Sequence, residues 1–447
     1  MVLNEAVTSQ DVWQPYLARL ASHAVRHGCD VTSIGSFSAG SYGMTGAGGS
    51  WMLPLDDEVI TTLQAEAADC AIAYCGVGRP DGSAEITMVD AGSPQLDGMA
   101  GQGMVDGVVL TPGVMPEPYR RQPELIAGQA FSSGSDPELV SRIVQRQLPG
   151  VPAADAALVA AAERAFGQPL PPDVRAFYGS AACGSFWSAN EDADPELPTV
   201  TRGMRIVPVA DVEGRAWFQP QRRYLSWMFG AATGVVPDRF EQVQPVGHSP
   251  AWFVVGDDEA GGWFVVDMAP GPNGTIGQLL HVDRDVMAGA QWLAPSLTEY
   301  LQNGAVIGPR FDFEDPTLGL VARAMADVGP CTEVLQLHNL SEPVDLALLA
   351  GHPRLRSVFI SSAAVTGLDA LTRLPALEFL SLPMVTWHVV IDDGLIPDGV
   401  HAVGFADAGR SVFSEPIEIA NRLLHHRGQP PIEVVRVTGG APGQAAR

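Results

Sequence analysis

PAWFVVGDDEAGGWFVVDMAPGPNGTIGQLLHVDRDVMAGAQWLAPSLTEYLQNG, residues 250–304, decides the fold of the middle of this chain. Its runs at 252–255 and 263–266 are aromatic and β-branched, which suits strands, and Gly261-Gly262 and Pro270-Gly271-Pro272-Asn273-Gly274 supply turns. A third run at 279–282 predicts another strand, and Ser296 opens a helix to about 302. No catalytic triad or phosphate loop is visible in the stretch.

Upstream, the spacing predicts a strand at 206–209 and three helices. The first starts at Ser135-Asp136-Pro137 and turns Leu139, Val140, Ile143, Val144 and Leu148 to one side. The second covers 153–166 and ends at Gly167, and the third begins at Pro171-Pro172-Asp173. Helices followed by strands make residues 135–305 an α+β domain with a mainly antiparallel sheet.

The remaining chain divides into three further parts. Residues 1–93 read as a small α+β unit. A helix starts at Pro15 and ends at Gly28, a second follows Asp56-Asp57, and strands at 71–77 and 84–89 flank a Pro80-Asp81-Gly82 turn. The Gly-rich 35–49 stretch contains neither GxSxG nor GxGxxG and is expected to be a flexible loop. Residues 94–134, with LDGMAGQGMVDG and TPGVMPEP, read as a linker or long loop. In 306–447, apolar-x-apolar pairs recur at Leu335/Leu337, Val358/Ile360, Leu380/Leu382 and Val403/Phe405, 22 or 23 residues apart. Such a period marks a solenoid of short stacked strands.

Composition excludes several chemistries. All 26 basic residues are Arg, against 51 acidic residues, for a net charge of −25. Without Lys there is no Schiff-base enzyme, GK[ST] phosphate loop, usual kinase or Ser-Lys acyl transferase. The negative charge argues against nucleic-acid or anionic-membrane partners and makes a basic protein the natural counterpart, although an acidic surface also serves solubility. Five scattered cysteines without CxxC spacing fit reduced thiols in a cytoplasmic protein. Neither a leader nor a membrane span is expected.

The ordered elements AERAFGQPLPPDVRAFYG (162–179), VVGDDEAGGWFVVDMAPGPNGTIGQLLHVDRD (254–285) and LAPSLTEYLQ (293–302) resemble the SUKH superfamily, in the branch named after the fungal cell-wall assembly regulators. The chain departs from that family in reading SAACGSF where an Asn-Gly-Gly type turn is common. Residues 332–405, with 432–437 as a further unit, look like a leucine-rich-repeat array whose units lack the usual Asn after the strand. The first resemblance implies an immunity protein that neutralises a toxin domain, or a regulatory hub, both without catalysis. The second implies a concave strand face for protein partners.

The candidate partner-binding residues follow from these two surfaces. Asp257, Asp258 and Glu259, with Asp267, Asp283 and Asp285 near in sequence, would meet a basic groove, or would form a solvated turn. Gln336, His338, Phe359, Ser361, Phe379 and Ser381 should share the face between the repeated leucines, where the two Phe rings are either binding anchors or docked under a neighbouring domain. Trp187, Trp227, Trp252 and Trp263 are expected in the central core. No catalytic, cofactor or metal residues are assigned. His425-His426 would close a helix over 415–426, and EDADPE at 191–196 lacks the Gly and distal Glu of a calcium loop. An enzymatic alternative would be carried by the N-terminal unit, where Cys29, Asp56, Asp57 and Cys75 are the only conceivable nucleophile or acid groups, and a general adaptor is the non-enzymatic alternative.

Overall fold

The computed structural model describes residues 7–38, 41–45, 53, 55, 57–67, 71–96, 99, 105–186, 204–210, 227–235, 240–283, 288–304, 320–338, 340, 342–361, 364–408 and 414–440. Two compact units result. One gathers Met1–Val114, Ser226–Ala232 and Gly319–Arg447, and the other Met115–Leu225 and Thr233–Leu318. Residues 1–93 therefore fold with the C-terminal third of the chain.

In the first unit an antiparallel five-stranded sheet runs in the order Val434–Gly440, Ser83–Asp90, Ile72–Gly78, Val31–Ser38, Ser41–Thr45. The helix Gln10–His27 buries Trp13, Tyr16, Leu17, Leu20, Ala21 and Ala24, and ends where Gly28 turns left-handed at φ 66°. It starts before Pro15, which lies inside it. Burial of Trp13, whose Nε1 donates to the Val7 carbonyl at 2.7 Å, offsets the hydrogen bond that the proline cannot make. Leu20 approaches so closely that a Cβ on Gly78 would sit 2.5 Å from its carbonyl oxygen.

The supposed loop at 35–49 contains two paired strands, with Ile34 opposite Thr45 and Phe37 opposite Tyr42. Small residues are needed there because the Tyr74 ring covers Gly35, whose added Cβ would lie 2.7 Å from the Tyr74 hydroxyl. The 434–440 strand pairs with 83–90, Val437 opposite Ile86, and so completes this sheet rather than continuing the repeats.

The second sheet of this unit is parallel from Val321–Ala322 through Val334–Leu337, Ser357–Ile360 and Phe379–Leu382 to Ala402–Phe405. Gly107–Val109, from the expected linker, adds an antiparallel edge. Leu335, Val358, Leu380 and Val403 are in register, as are Leu337, Ile360, Leu382 and Phe405, and all eight are buried. The 3-10 turns Leu346–Leu349 and Leu368–Arg373 and the helices Met384–Asp392 and Ser414–His426 supply Leu346, Leu371, Trp387 and Leu423 to the same core.

The second unit has an antiparallel sheet in the order Gln291–Ala294, Gln278–Val282, Trp263–Asp267, Trp252–Asp257, Met204–Ile206, Ser185–Phe186. Its helices include Pro137–Gln147, Ala156–Phe166, Pro172–Tyr178 and Leu297–Asn303. Asp136 rather than Ser135 caps the first, accepting from the Leu139 N–H at 2.9 Å, and Ser296 caps the last from the Glu299 N–H at 3.1 Å. One sheet face presents Phe253, Val255, Phe264, Val266 and Leu279 to Phe177, Tyr178, Tyr300 and Leu301. The other packs Trp252, Val254, Val265 and Leu280 with Val207, Val243 and Val246.

Candidate functional site

The hairpin between Trp252–Asp257 and Trp263–Asp267 carries the acidic turn. Asp257 is buried, and its Oδ2 accepts from Nε and Nη2 of Arg205 at 3.0 and 2.9 Å. Its Oδ1 accepts from the Glu259 N–H at 3.0 Å. Asp258 accepts through Oδ1 from the N–H groups of Ala260 and Gly262, at 2.9 and 2.7 Å, and its Oδ2 lies 3.1 Å from Nε2 of His281 on the next strand. Burial opposes the Asp258 charge, but these backbone donors and His281 together hold its carboxyl below the usual carboxylate range. A Cβ on Gly262 would fall 2.3 Å from Asp258 Oδ2 and 2.7 Å from His281 Nε2, so glycine is required there.

These bonds divide the acidic residues by role. Asp257 and Asp258 build the turn, while Glu259 is exposed and held at φ 57°, in the left-handed region that a β-carbon disfavours. Asp283 follows Val282, whose register partner is Trp263, so it lies at the same end of the sheet. Asp267 does not join them. It pairs with Trp252 at the opposite end of the hairpin and is buried, with Oδ2 accepting from Gln278 Nε2 at 2.9 Å and Oδ1 from the Ala269 N–H at 3.0 Å. Burial pushes its carboxyl up to about 7. Asp285, Trp187 and the 191–196 run lie outside the described residues.

The second surface is the outer face of the parallel sheet, where Gln336, Phe359, Ser381 and Gly404 are in register beside Val334, Ser357, Phe379 and Ala402. Phe359 and Phe379 lie 4.9 Å apart between ring centroids and both are buried. Their cover is the short helix Trp227–Ala232, so Trp227 packs here and not among the strands of the second unit. Its ring stacks on Phe379 at 6.4 Å and 9°, lies 6.2 Å from His401, and donates through Nε1 to the Val114 carbonyl at 3.0 Å. His338 stands past the strand end, with Nδ1 3.0 Å from Ser361 Oγ.

Sequence reading also missed the residues just before three successive parallel strands. Glu333, Arg356 and Glu378 are buried in successive units, with Arg356 Nε 3.5 Å from Glu333 and its Nη1 3.6 Å from Glu378. The alternating signs recur at the repeat period, and that recurrence is the signal that could have found them. His281 and Arg205 were missed because only strand register brings them to the acidic turn.

Among the enzymatic candidates, Cys75 is buried within its strand, Cys29 and Asp57 are exposed, and Asp56 lies outside the described residues. Among the described residues, no group of three His, Cys, Asp or Glu side chains could hold a metal ion, and no helix is long and apolar enough to cross a membrane.

Residues 153–303 match the model of the SMI1 / KNR4 family (SUKH-1). The match covers the antiparallel sheet of the second unit, its helices Ala156–Phe166, Pro172–Tyr178 and Leu297–Asn303, and the acidic turn; the protein carries a SUKH-family domain in the middle of its chain. No curated protein matches the chain.

Proposed function

We propose that this is a non-catalytic, cytoplasmic, immunity-type protein that binds and neutralises a basic toxin domain. The observation that carries the reading is the acidic turn inside the SUKH-family match. Asp257 and Asp258 fix its backbone, and Glu259 is held outward against its conformational preference. Backbone strain retained at an exposed charged residue fits a recognition position. Glu259, with Asp283 and Asp285, would set association rate and partner choice more than final affinity.

Residues 332–405 are read as a short leucine-rich-repeat array, supported by parallel strands in strict register at the repeat period. A general adaptor that recruits an endogenous protein is the second reading. Its surface would be the outer sheet face, where the aromatic pair Phe359 and Phe379 lies next to Gln336, His338 and Ser381 under the turn Trp227–Ala232, which such a partner would have to displace.

The deciding experiment is affinity capture at low salt and at about 0.5 M salt, where screening shortens the electrostatic reach to a few ångström, followed by co-expression with each captured domain. Immunity requires a basic toxin domain that is released at high salt and whose toxicity the chain suppresses. Capture of endogenous housekeeping proteins, with no rescue from any toxin domain, would sink that reading in favour of the adaptor.

A further inference from the structure

The two faces of the parallel sheet differ in kind. The inner face is Leu335, Leu337, Val358, Ile360, Leu380, Leu382, Val403 and Phe405, an uninterrupted apolar core. The outer face mixes Gln336, Ser357, Ser381 and Gly404 with the aromatic pair Phe359 and Phe379. A permanent core layer does not need hydroxyl and amide side chains. A face that receives a separate chain does, because binding surfaces combine aromatic anchors with polar groups.

The turn that covers this face has the features of an occupant. Trp227–Ala232 is six residues long, and it comes from within the span that matches the SUKH family, far in sequence from the strands it covers. Trp227 stacks on Phe379, Met228 reaches Gly404, where an added Cβ would lie 3.1 Å from its Cε, and Gly230 and Ala231 are buried, so the backbone lies close. At its end, Arg356 Nη1 donates to the Ala231 carbonyl and Gln336 Nε2 to the Ala232 carbonyl, both at 3.4 Å. Those lengths are near the outer limit for a hydrogen bond, so both donors can be transferred to another acceptor at little cost. Phe229 points out of the contact and is exposed.

We infer that the outer face of the parallel sheet is a groove for a short helical segment with an aromatic residue followed by small residues three and four positions later, and that Trp227–Ala232 occupies it in cis until a partner segment of the same chemistry displaces it. The groove supplies Phe379, itself packed on Phe359, and His401 for the aromatic ring, and Arg356 and Gln336 for the last carbonyls of the turn. An occupied groove lowers a competitor's apparent affinity by the fraction of time it is open. Removing the cis turn should therefore raise affinity for the same turn supplied in trans.

This rests on the reading of the parallel sheet as a protein-binding surface and on no particular toxin. The probe is a synthetic peptide of residues 225–235 with a fluorophore at its C-terminus, titrated by anisotropy against the full chain and against two variants, Gly230→Glu and Trp227→Ala. Both substitutions lie in the turn and leave the sheet untouched. The expected result is binding to each variant at least tenfold tighter than to the unsubstituted chain. A peptide with alanine at its Trp position should bind at least tenfold more weakly, and Phe379→Ala in the Gly230→Glu background should weaken binding comparably. Hydrogen exchange at 334–337, 357–360, 379–382 and 402–405 should stay slow in both variants. If both variants lose that protection, or bind the peptide no better than the unsubstituted chain does, the turn is a core element and the inference fails. The assay contains no toxin, so that failure leaves the reading of the SUKH-family domain standing.

Discussion

Asp173 accepts two hydrogen bonds through Oδ2 from a single residue, Thr298, whose N–H and hydroxyl lie 3.1 and 3.0 Å away. The same hydroxyl accepts from the Asp136 N–H at 2.9 Å, so the starts of the helices at 137–147, 172–178 and 297–303 share one buried network. Asp173 is the acid of the LPPDV stretch and Thr298 sits in LTEY, so one contact joins the two stretches. Asp173→Ala strands both Thr298 donors in a dry site and should lower the stability of the SUKH-family domain by about 2–4 kcal/mol. Asp173→Asn, which retains one acceptor, should cost about half as much. Urea unfolding of the purified chain checks both, and a loss below about 0.5 kcal/mol for Asp173→Ala would contradict the network's importance.

Asp267 gives the same domain a pH dependence of opposite sense to that of a paired surface carboxylate. Its carboxyl, ordinarily near 3.8, is pushed up to about 7 by burial, against the opposing hydrogen bonds from Gln278 and Ala269. The fold therefore holds a proton that the unfolded chain releases. The full stability is present below pH 4 for this group and is lost as pH rises through about 7. Between pH 5 and 8 the melting temperature of the domain should fall, and Asp267→Asn should flatten the slope. A profile that keeps its slope in the variant would assign the effect elsewhere.

How much was legible depended on whether the signal was local. Trp252, Trp263 and Leu279 lie in alternating or β-branched runs bounded by turn residues, and their strands appear within a residue or two of the expected positions. The repeat at 335, 358, 380 and 403 likewise appears as four parallel strands in register. Strands at 31–38 and 41–45 were hidden because Gly35, Ser36 and Gly43 have poor strand propensity, and the reason for Gly35 being small is the distant Tyr74. For the acidic turn, composition marked the residues but could not separate the builders Asp257 and Asp258 from the projecting Glu259. That distinction comes from His281 and Arg205, contributed by neighbouring strands. The place of Trp227 was illegible for a similar reason, since nothing within the 227–232 stretch indicates Phe379.

Glu259 separates conformational cost from recognition. Glu259→Gly removes a left-handed β-carbon at φ 57° and should stabilise the domain by about 1 kcal/mol. Glu259→Gln keeps the backbone and removes only the charge, so stability should change by less than about 0.5 kcal/mol. Both should slow association with a basic partner, and both should make the rate less sensitive to salt, because the exposed charge acts in steering. Stopped-flow association at two salt concentrations measures this. An unchanged rate in both variants would remove Glu259 from the interface.

The strand Val434–Gly440 closes the N-terminal sheet through register pairs from Val434 opposite Val89 to Gly440 opposite Ser83. It is further tied down by Gln10, whose Nε2 donates to the Thr438 carbonyl at 3.3 Å, and by Gly439, where a Cβ would sit 3.0 Å from Leu17 Cβ. Ending the chain at 432 would leave the 83–90 strand as an open edge, with unpaired backbone groups and a ready template for another chain. The truncated protein should lose several kcal/mol in the unit built on this sheet and should associate at micromolar concentration, while the SUKH-family domain keeps its own melting transition. Supplying residues 432–440 as a free peptide should restore the monomer by adding the missing strand in trans. Light scattering across a concentration series, with and without the peptide, reads both effects. A truncated chain that stays monomeric and melts like the full one would show that the strand is an ornament on a sheet already complete.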